Sequence, residues 1–426
     1  MARALTPKDA HALITAMYRQ ATGQDNISVV DTSSFISAGE LILQTGMENV
    51  FNAINIVLGR LIVASRPYRG KFRGFTAENS DIYTSRLRKV SFYSTGAEPA
   101  GNFNTDLFTN FSDGFTAGEN EASGTAQSTK SQWEQHPPIP LEINFGGMSV
   151  WQDCITMYED AVKYAFRGEE EFNRFVAGYL QEHANDIESQ KEAWNRAAIL
   201  NKIAATYDYN NSYQVINLTA AYNDKFGTSY TSEQLRTDYL AEFLKFFVAE
   251  FKKTSEFLTD RSSLYHLPMT KAINGVNHSI LRHTPYNRQR VWLYSPLYTE
   301  AEAMVLPEIF RPGYLDLETQ FEPVTYWQSV RDRAAINVTP SIIDLGPSSS
   351  AYGTQIAGDP VEIPYVVGVI MDEDALMTSF NLERVDTTTL EARKHYRNTW
   401  LSIAKNVCDD PTENCVIFIM TDETEG

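Results

Sequence analysis

The sequence predicts an α+β chain divided into several structural units, on three observations. Its 426 residues exceed the usual size of a single core. A helical pattern runs without proline from Glu169 to about Tyr207. The second half mixes helical spans with apolar, β-branched runs such as Tyr365 to Met371 and Cys415 to Met420.

The composition limits what the chain can do. Hydrophobic residues make up 43% and charged residues 21%, as in an ordinary folded protein. With 36 basic and 54 acidic residues the formal net charge is -18, which repels phosphate backbones on average and leaves only local basic patches for nucleic acid. The same charge keeps copies apart until apolar or charge-complementary surfaces meet. Cys154, Cys408 and Cys415 are too few for a disulfide framework, and a reducing compartment is expected. The opening residues carry no apolar signal-like run, and the apolar stretch Val50 to Ala64 is interrupted by Asn52, Asn55 and Arg60 and is too short for a bilayer. The chain is therefore expected in the cytosol when made, with no membrane partner.

Residues 1–36 hold one amphipathic candidate, Lys8 to Arg19, followed by a polar stretch; they read as an arm rather than as core. Ser37 to Glu40 matches a capping box, and Leu41, Val50, Ile54, Val57 and Leu61 suit a helix over 37–65. Two short basic segments, Arg69 to Phe75 and Arg86 to Tyr93, imply a hairpin. Gly96 to Pro138 is rich in Gly, Asn, Ser and Thr, and a loop of that length is uncommon inside a compact domain. A helix is expected over Thr156 to Phe166, then a break at Gly168, then the long helix opened by Glu169, Glu170 and Glu171 at the positive end of its dipole. Unbroken, it would reach about 55 Å. Thr231 to Gln234 is a second capping box, starting a helix through Leu258. Strands are expected at Arg290 to Tyr294, Phe321 to Trp327, Ala335 to Val338, Tyr365 to Met371, His395 to Ala404 and Cys415 to Met420, with short helices near Glu300 and Asp374.

A search for chemistry returns little. Gly70-Lys71 lacks the upstream glycine of a phosphate loop, and Gly227 to Thr231 lacks the closing glycine of a nucleophile elbow, so an ordinary turn is favoured there. His266, His278 and His283 share a stretch but no metal-ligand spacing. Cys408 and Cys415 flank Asp409-Asp410-Pro411 as two strands joined by a turn, with buried thiols the favoured reading. Asp372 to Asp374 reads as a helix start after a buried strand, and the acids at 169–171 as a helix end. No catalytic, cofactor or metal residue is assigned. The basic concentration Arg66, Arg69, Lys71, Arg73, Arg86, Arg88 and Lys89 is explained by phosphate binding, by a solvated face, or by docking on an acidic face of another copy; the last fits the acidic remainder best.

The order of parts resembles the tailed-phage major capsid proteins that share the Hong Kong ninety-seven-type shell fold. The residues that carry the resemblance are Pro140 to Trp151, Leu281 to Pro285, Pro307 to Phe310, Val366 to Ala375, Leu390 to Arg393 and a closing hairpin from Tyr396 to Met420. The resemblance implies an N-terminal arm (1–36), a helix leading to the loop (37–65), an extended hairpin loop reaching a neighbour (66–148), a peripheral domain with the spine helix (149–210), an axial domain (211–380) and peripheral return strands (381–426). It further implies a subunit with no catalytic role that assembles with copies of itself into hexamers and pentamers around packaged double-stranded DNA, in the virion capsid, built in the host bacterial cytoplasm. Its partners would be portal and scaffold or decoration proteins, with DNA touched only non-specifically. Another virion component, such as a head decoration or tail-associated protein, is the alternative.

Overall fold

A computed structural model describes residues 7–24, 27, 29–45, 86–93, 138–146, 149–176, 182–209, 211–267, 270–273, 276–304, 320–344, 354–389, 391 and 393–422. Helix α1 (Pro7–Thr22) buries Ala10, Ile14, Met17 and Tyr18 at helical spacing and ends at Gly23, whose φ of 68° closes the last turn on the Arg19 carbonyl. Helix α2 (Thr32–Gln44) begins earlier than the Ser37 capping box predicts. Asp31 accepts from the Ser34 amide and Ser34 accepts from the Asp31 amide, whereas Ser37 donates back to the Ser33 carbonyl inside the helix. The remainder of the expected 37–65 helix and the Arg69 to Phe75 segment lie outside the described residues.

Strand β1 (Arg86–Phe92) pairs antiparallel with β2 (Pro140–Gly146), with Val90 opposite Glu142. β3 (Ser149–Tyr158) continues as strand to a position where the sequence predicts helix, because pairing with the late strand at 396–405 holds it extended; α3 (Glu159–Ala165) starts only after the Glu159 amide bonds the His395 carbonyl. After Gly168 come α4 (Glu169–Val176) and α5 (Glu182–Asp208), the latter about 40 Å long at 27 residues. Residues 177–181 of the predicted beam fall outside the described ones.

Within 1–36, read from the sequence as an arm, the described helices pack against the body. Phe35, Ala38 and Ile42 join Ile14, Met17, Met157, Val162, Phe166 and Phe172 in one buried cluster, and His11 Nε2 lies 2.7 Å from Glu169 Oε1. A 16-residue amphipathic helix beside unfilled apolar surface on α3 and α4 gains more by docking than by extending into water.

Beyond α5, β4 (Val215–Asn217) leads into α6 (Leu218–Phe226), capped by the Asn217 side chain and ended by Gly227 in the left-handed region, a helix the sequence reading missed. Thr231 and Gln234 form the expected capping box, but on α7 (Ser232–Thr237); Tyr239, stacked on Tyr230 at 4.1 Å, leaves helical geometry before α8 (Leu240–Phe257) begins. The chain continues through β5 (Thr270–Ile273), β6 (Val276–Ser279), β7 (Gln289–Tyr294), α9 (Ser295–Met304), β8 (Gln320–Val324), β9 (Ile336–Val338), β10 (Ser341–Ile343), β11 (Gln355–Ala357), β12 (Val361–Ile363), β13 (Val366–Asp372), β14 (Leu376–Thr387), β15 (Tyr396–Asp409) and β16 (Cys415–Ile419). Where a helix was expected near Asp374 there is a tight turn, in which Asp372 Oδ1 accepts from the Asp374 amide.

Two sheets dominate. One has the order β14-β15-β3; the other β4-β16-β13-β7-β8, antiparallel at its centre and parallel at both edges. β7, β13 and β16 are buried throughout, as their continuous apolar runs require. Phe247 and Phe251 of α8 pack on Phe418 of β16. Helix α5 serves both sheets: Ile187 and Trp194 cover Leu401, Ile403 and Phe380, while Ile199 and Ile203 enter the core of the five-stranded sheet.

The expected closing hairpin over Tyr396 to Met420 does not exist. β15 and β16 lie in different sheets, so residues 410–414 carry the chain from one to the other.

Gly368 leaves no room for a side chain in the buried sheet: a Cβ would stand 2.3 Å from Leu293 Cδ2 and 2.8 Å from the Trp292 carbonyl oxygen. Gly368→Ala is expected to cost on the order of 1–3 kcal/mol in urea unfolding; a variant as stable as the parent would contradict this packing.

Candidate functional site

The crossover turn is where chain polarity and burial collide. Asp410, Thr412 and Asn414 are fully buried and Glu413 nearly so, between two apolar strands. Buried polar groups must be paired or they cost dearly. Locally, Asp410 Oδ1 accepts from the Thr412 amide (2.8 Å) and hydroxyl (2.7 Å), the short-range turn that aspartate favours. Backbone bonds then fasten the turn to its surroundings: the Asp410 amide to Ala375, the Leu267 amide to Pro411, the Asp372 amide to Asn414 and the Cys415 amide to Tyr265.

Three cations enter this site from distant parts of the chain. Lys202, buried on α5, places Nζ 3.0 Å from Asp409 Oδ1 and 2.7 Å from the Asp410 carbonyl oxygen; neighbouring Asn201 donates to Asp409 Oδ2 at 2.9 Å. Lys89, on β1, bridges Asp410 Oδ2 (2.6 Å) and Glu413 Oε1 (2.7 Å). Arg282 stands 3.1 Å from Glu413 Oε1 and donates to the Thr412 carbonyl (3.1 Å) and to Ser91 Oγ (2.7 Å). Lys89, Lys202 and Arg282 therefore balance Asp409, Asp410 and Glu413.

Protonation follows from this pairing. Burial works against a charged Lys202, but the field of Asp409 and its neighbours outweighs it and holds the ammonium above its ordinary range; Lys89 is raised in the same way against burial by Asp410 and Glu413. For Asp410, burial would raise the carboxyl, yet Lys89 and the Thr412 bonds bring it below the usual range. At Glu413 burial prevails over Lys89 and Arg282, and its carboxyl is raised. Burial also pushes the Cys408 thiol up to about 12, raises that of Cys415, and lifts the Tyr209 phenol to about 12. Both thiols that flank the turn are buried and free, as the sequence reading favoured.

The hairpin meets the turn with an inverted pattern. On β1 the polar Lys89 and Ser91 face inward onto the turn and Arg282, while Val90 and Phe92 are 45% and 56% exposed. A strand covering a body ordinarily turns its apolar side inward. Of the basic residues singled out in the sequence, Lys89 makes its ion pairs within its own chain. Arg86 and Arg88 lie on β1 at positions sharing the parity of Val90 and Phe92, and Arg66, Arg69, Lys71 and Arg73 lie outside the described residues. No simple sequence signal pointed to Asp409, Asp410, Glu413, Lys202 or Arg282, since Asp409 to Asn414 reads locally as an exposed turn.

The other candidates resolve into structure. Asp372 accepts from Thr284 Oγ1 (2.8 Å) and pairs with Arg288, which also pairs with Asp374, and Arg290 pairs with Glu373 at 2.6 Å. Those acids fasten a turn rather than start a helix. Gly227 and Thr231 end one helix and cap the next. His266 is buried with Nδ1 3.0 Å from the Leu267 carbonyl oxygen, and burial holds its pKa low; His283 is exposed. Among the described residues no group of three His, Cys, Asp or Glu could hold a metal, and no helix is long and apolar enough to cross a membrane.

No protein-family model and no curated protein sequence matches the chain. Solved structures do. A chain in the capsid structure of Staphylococcus phage Andhra aligns with a TM-score of 0.51 at 12% identity, over 83% of this chain and 85% of that one. The two share a fold. A chain from the native bacteriophage P68 structure of its head fiber and inner core protein aligns at 0.48 and 11% identity, over 83% and 85%.

Lys202, Cys408, Cys415 and Tyr209 all hold their protons more tightly folded than unfolded. Such groups stabilise the fold below their unfolded pKa values, and the contribution is lost as pH rises through the folded ones. Stability in urea is expected to fall from pH 9.0, the ordinary value of a thiol, toward 12, with Cys408→Ala flattening the first part of the decline. Identical profiles for the two proteins would contradict this.

Proposed function

We propose that this chain is the major capsid protein of a tailed bacteriophage, with the Hong Kong ninety-seven-type shell fold and no catalytic role, assembling with copies of itself into hexamers and pentamers around packaged double-stranded DNA. The observation that carries the reading is the likeness of fold over 83% of the chain to a chain of a phage capsid structure. The inverted hairpin supports it, because an exposed apolar stripe on a strand already held by its own body is a surface made for another molecule.

In this reading residues 66–148 form the loop that reaches a neighbour. The outward side of β1, with Val90 and Phe92 and the positions of Arg86 and Arg88, meets an acidic face of the adjacent copy. The β14-β15-β3 sheet with the first part of α5 makes the peripheral domain, and the five-stranded sheet with α6 to α8 makes the axial one. Portal and scaffold or decoration proteins are the further partners, DNA is touched non-specifically, and assembly takes place in the host cytoplasm.

Negative-stain microscopy of the purified full-length chain tests this: closed shells, sheets or rings of five and six are expected, and a monodisperse monomer at high concentration would refute it. Mass abundance in the particle separates a shell protein from a decoration or tail component. Arg86→Glu with Arg88→Glu is expected to leave the circular dichroism spectrum unchanged and abolish shells; normal shells from this variant would remove the docking role.

A further inference from the structure

Two sets of bonds meet at the crossover turn, and they differ in kind. The turn is held to the body by backbone bonds at Ala375, Leu267, Asp372 and Tyr265 and by buried Lys202. The hairpin is held to the turn through side chains: Lys89 on Asp410 and Glu413, and Ser91 on Arg282, which itself grips Glu413 and the Thr412 carbonyl. The hairpin keeps its own seven-pair ladder whatever happens at these contacts. Tyr93 and Phe145 of the hairpin are also buried, both at 9% exposure, but the described centre of the contact on β1 is polar.

We propose that the crossover turn is an ionic latch: Lys89 fastens the β1–β2 hairpin to the body, and removing the latch charges frees the hairpin as a unit while both sheets stay folded. The inference concerns how one chain holds its own hairpin, so it stands whether or not the chain builds a shell. The contact is made by charge-assisted bonds of 2.6 and 2.7 Å, which are lost once the hairpin moves out of hydrogen-bond reach. A pull on the exposed Val90 and Phe92 side would be carried through Lys89 to the turn, and from there to α5 and both sheets.

The test uses the full-length chain with Ser91→Cys as a reporter carried by parent and variants alike, so that the altered bond to Arg282 is common to all, since position 91 is 6% exposed beneath Arg282; Cys415, 1% exposed in the body, is the internal control. Maleimide labelling is followed site by site by peptide mass spectrometry. In the parent both thiols are expected to label slowly. In Lys89→Met with Asp410→Asn and Glu413→Gln, which leaves neither carboxylate of the latch unpaired, position 91 is expected to label at least about tenfold faster with Cys415 unchanged, as for a local opening. Lys89→Arg with Asp410 and Glu413 retained should label as slowly as the parent. An unchanged rate at 91 would overturn the latch. So would Cys415 opening in step with it, whether by global unfolding or failure to fold, since the hairpin would then be inseparable from the body.

Discussion

The structure depends on one constraint: the chain must cross between two sheets through an apolar interior, and it does so with six charges and no room for water to solvate them fully. Desolvating an ion costs several kcal/mol, so such a turn is tolerable only if each charge meets an opposite one at short range. Meeting that demand draws in α5 through Lys202, the hairpin through Lys89 and the 282–290 segment through Arg282 and its neighbours. The turn thereby sets the mutual position of elements that are hundreds of residues apart in sequence. Apolar packing builds each sheet; the charged crossover says how they stand to one another.

The same pairing explains why the hairpin is inside out. With Lys89 and Ser91 committed inward, strand alternation forces Val90 and Phe92 outward. The chain accepts exposed apolar surface on β1 in return for balanced charge beneath it. That exposure is the physical basis for reading the hairpin as a contact surface.

What was legible in the sequence was local. The apolar runs of β7, β13 and β16, the Thr231 cap and the basic strand at 86–92 needed only neighbouring residues. The misses were tertiary. Asp31 outcompeted Ser37 as a cap by a two-way bond, β3 stayed extended because β15 pairs with it, and α1 and the start of α2 pack as core because α3 and α4 offered an apolar surface. The crossover was least legible of all: Asp409 to Asn414 has the composition of an exposed turn, and nothing local reports that Lys89, Lys202 and Arg282 will cover it. Strand alternation does separate position 89 from 86 and 88, whose parity is opposite and whose face it cannot share.

The central claim is that Lys89 and Asp410 hold each other across 321 residues of chain in a buried, energetically coupled contact. A double-mutant cycle in urea, with Lys89→Met, Asp410→Asn and the pair together, measures that coupling directly. The account predicts that the double variant is more stable than the sum of the single losses implies, by about 2 kcal/mol. Additive losses would mean that the two charges are merely neighbours, and the crossover would lose its organising role.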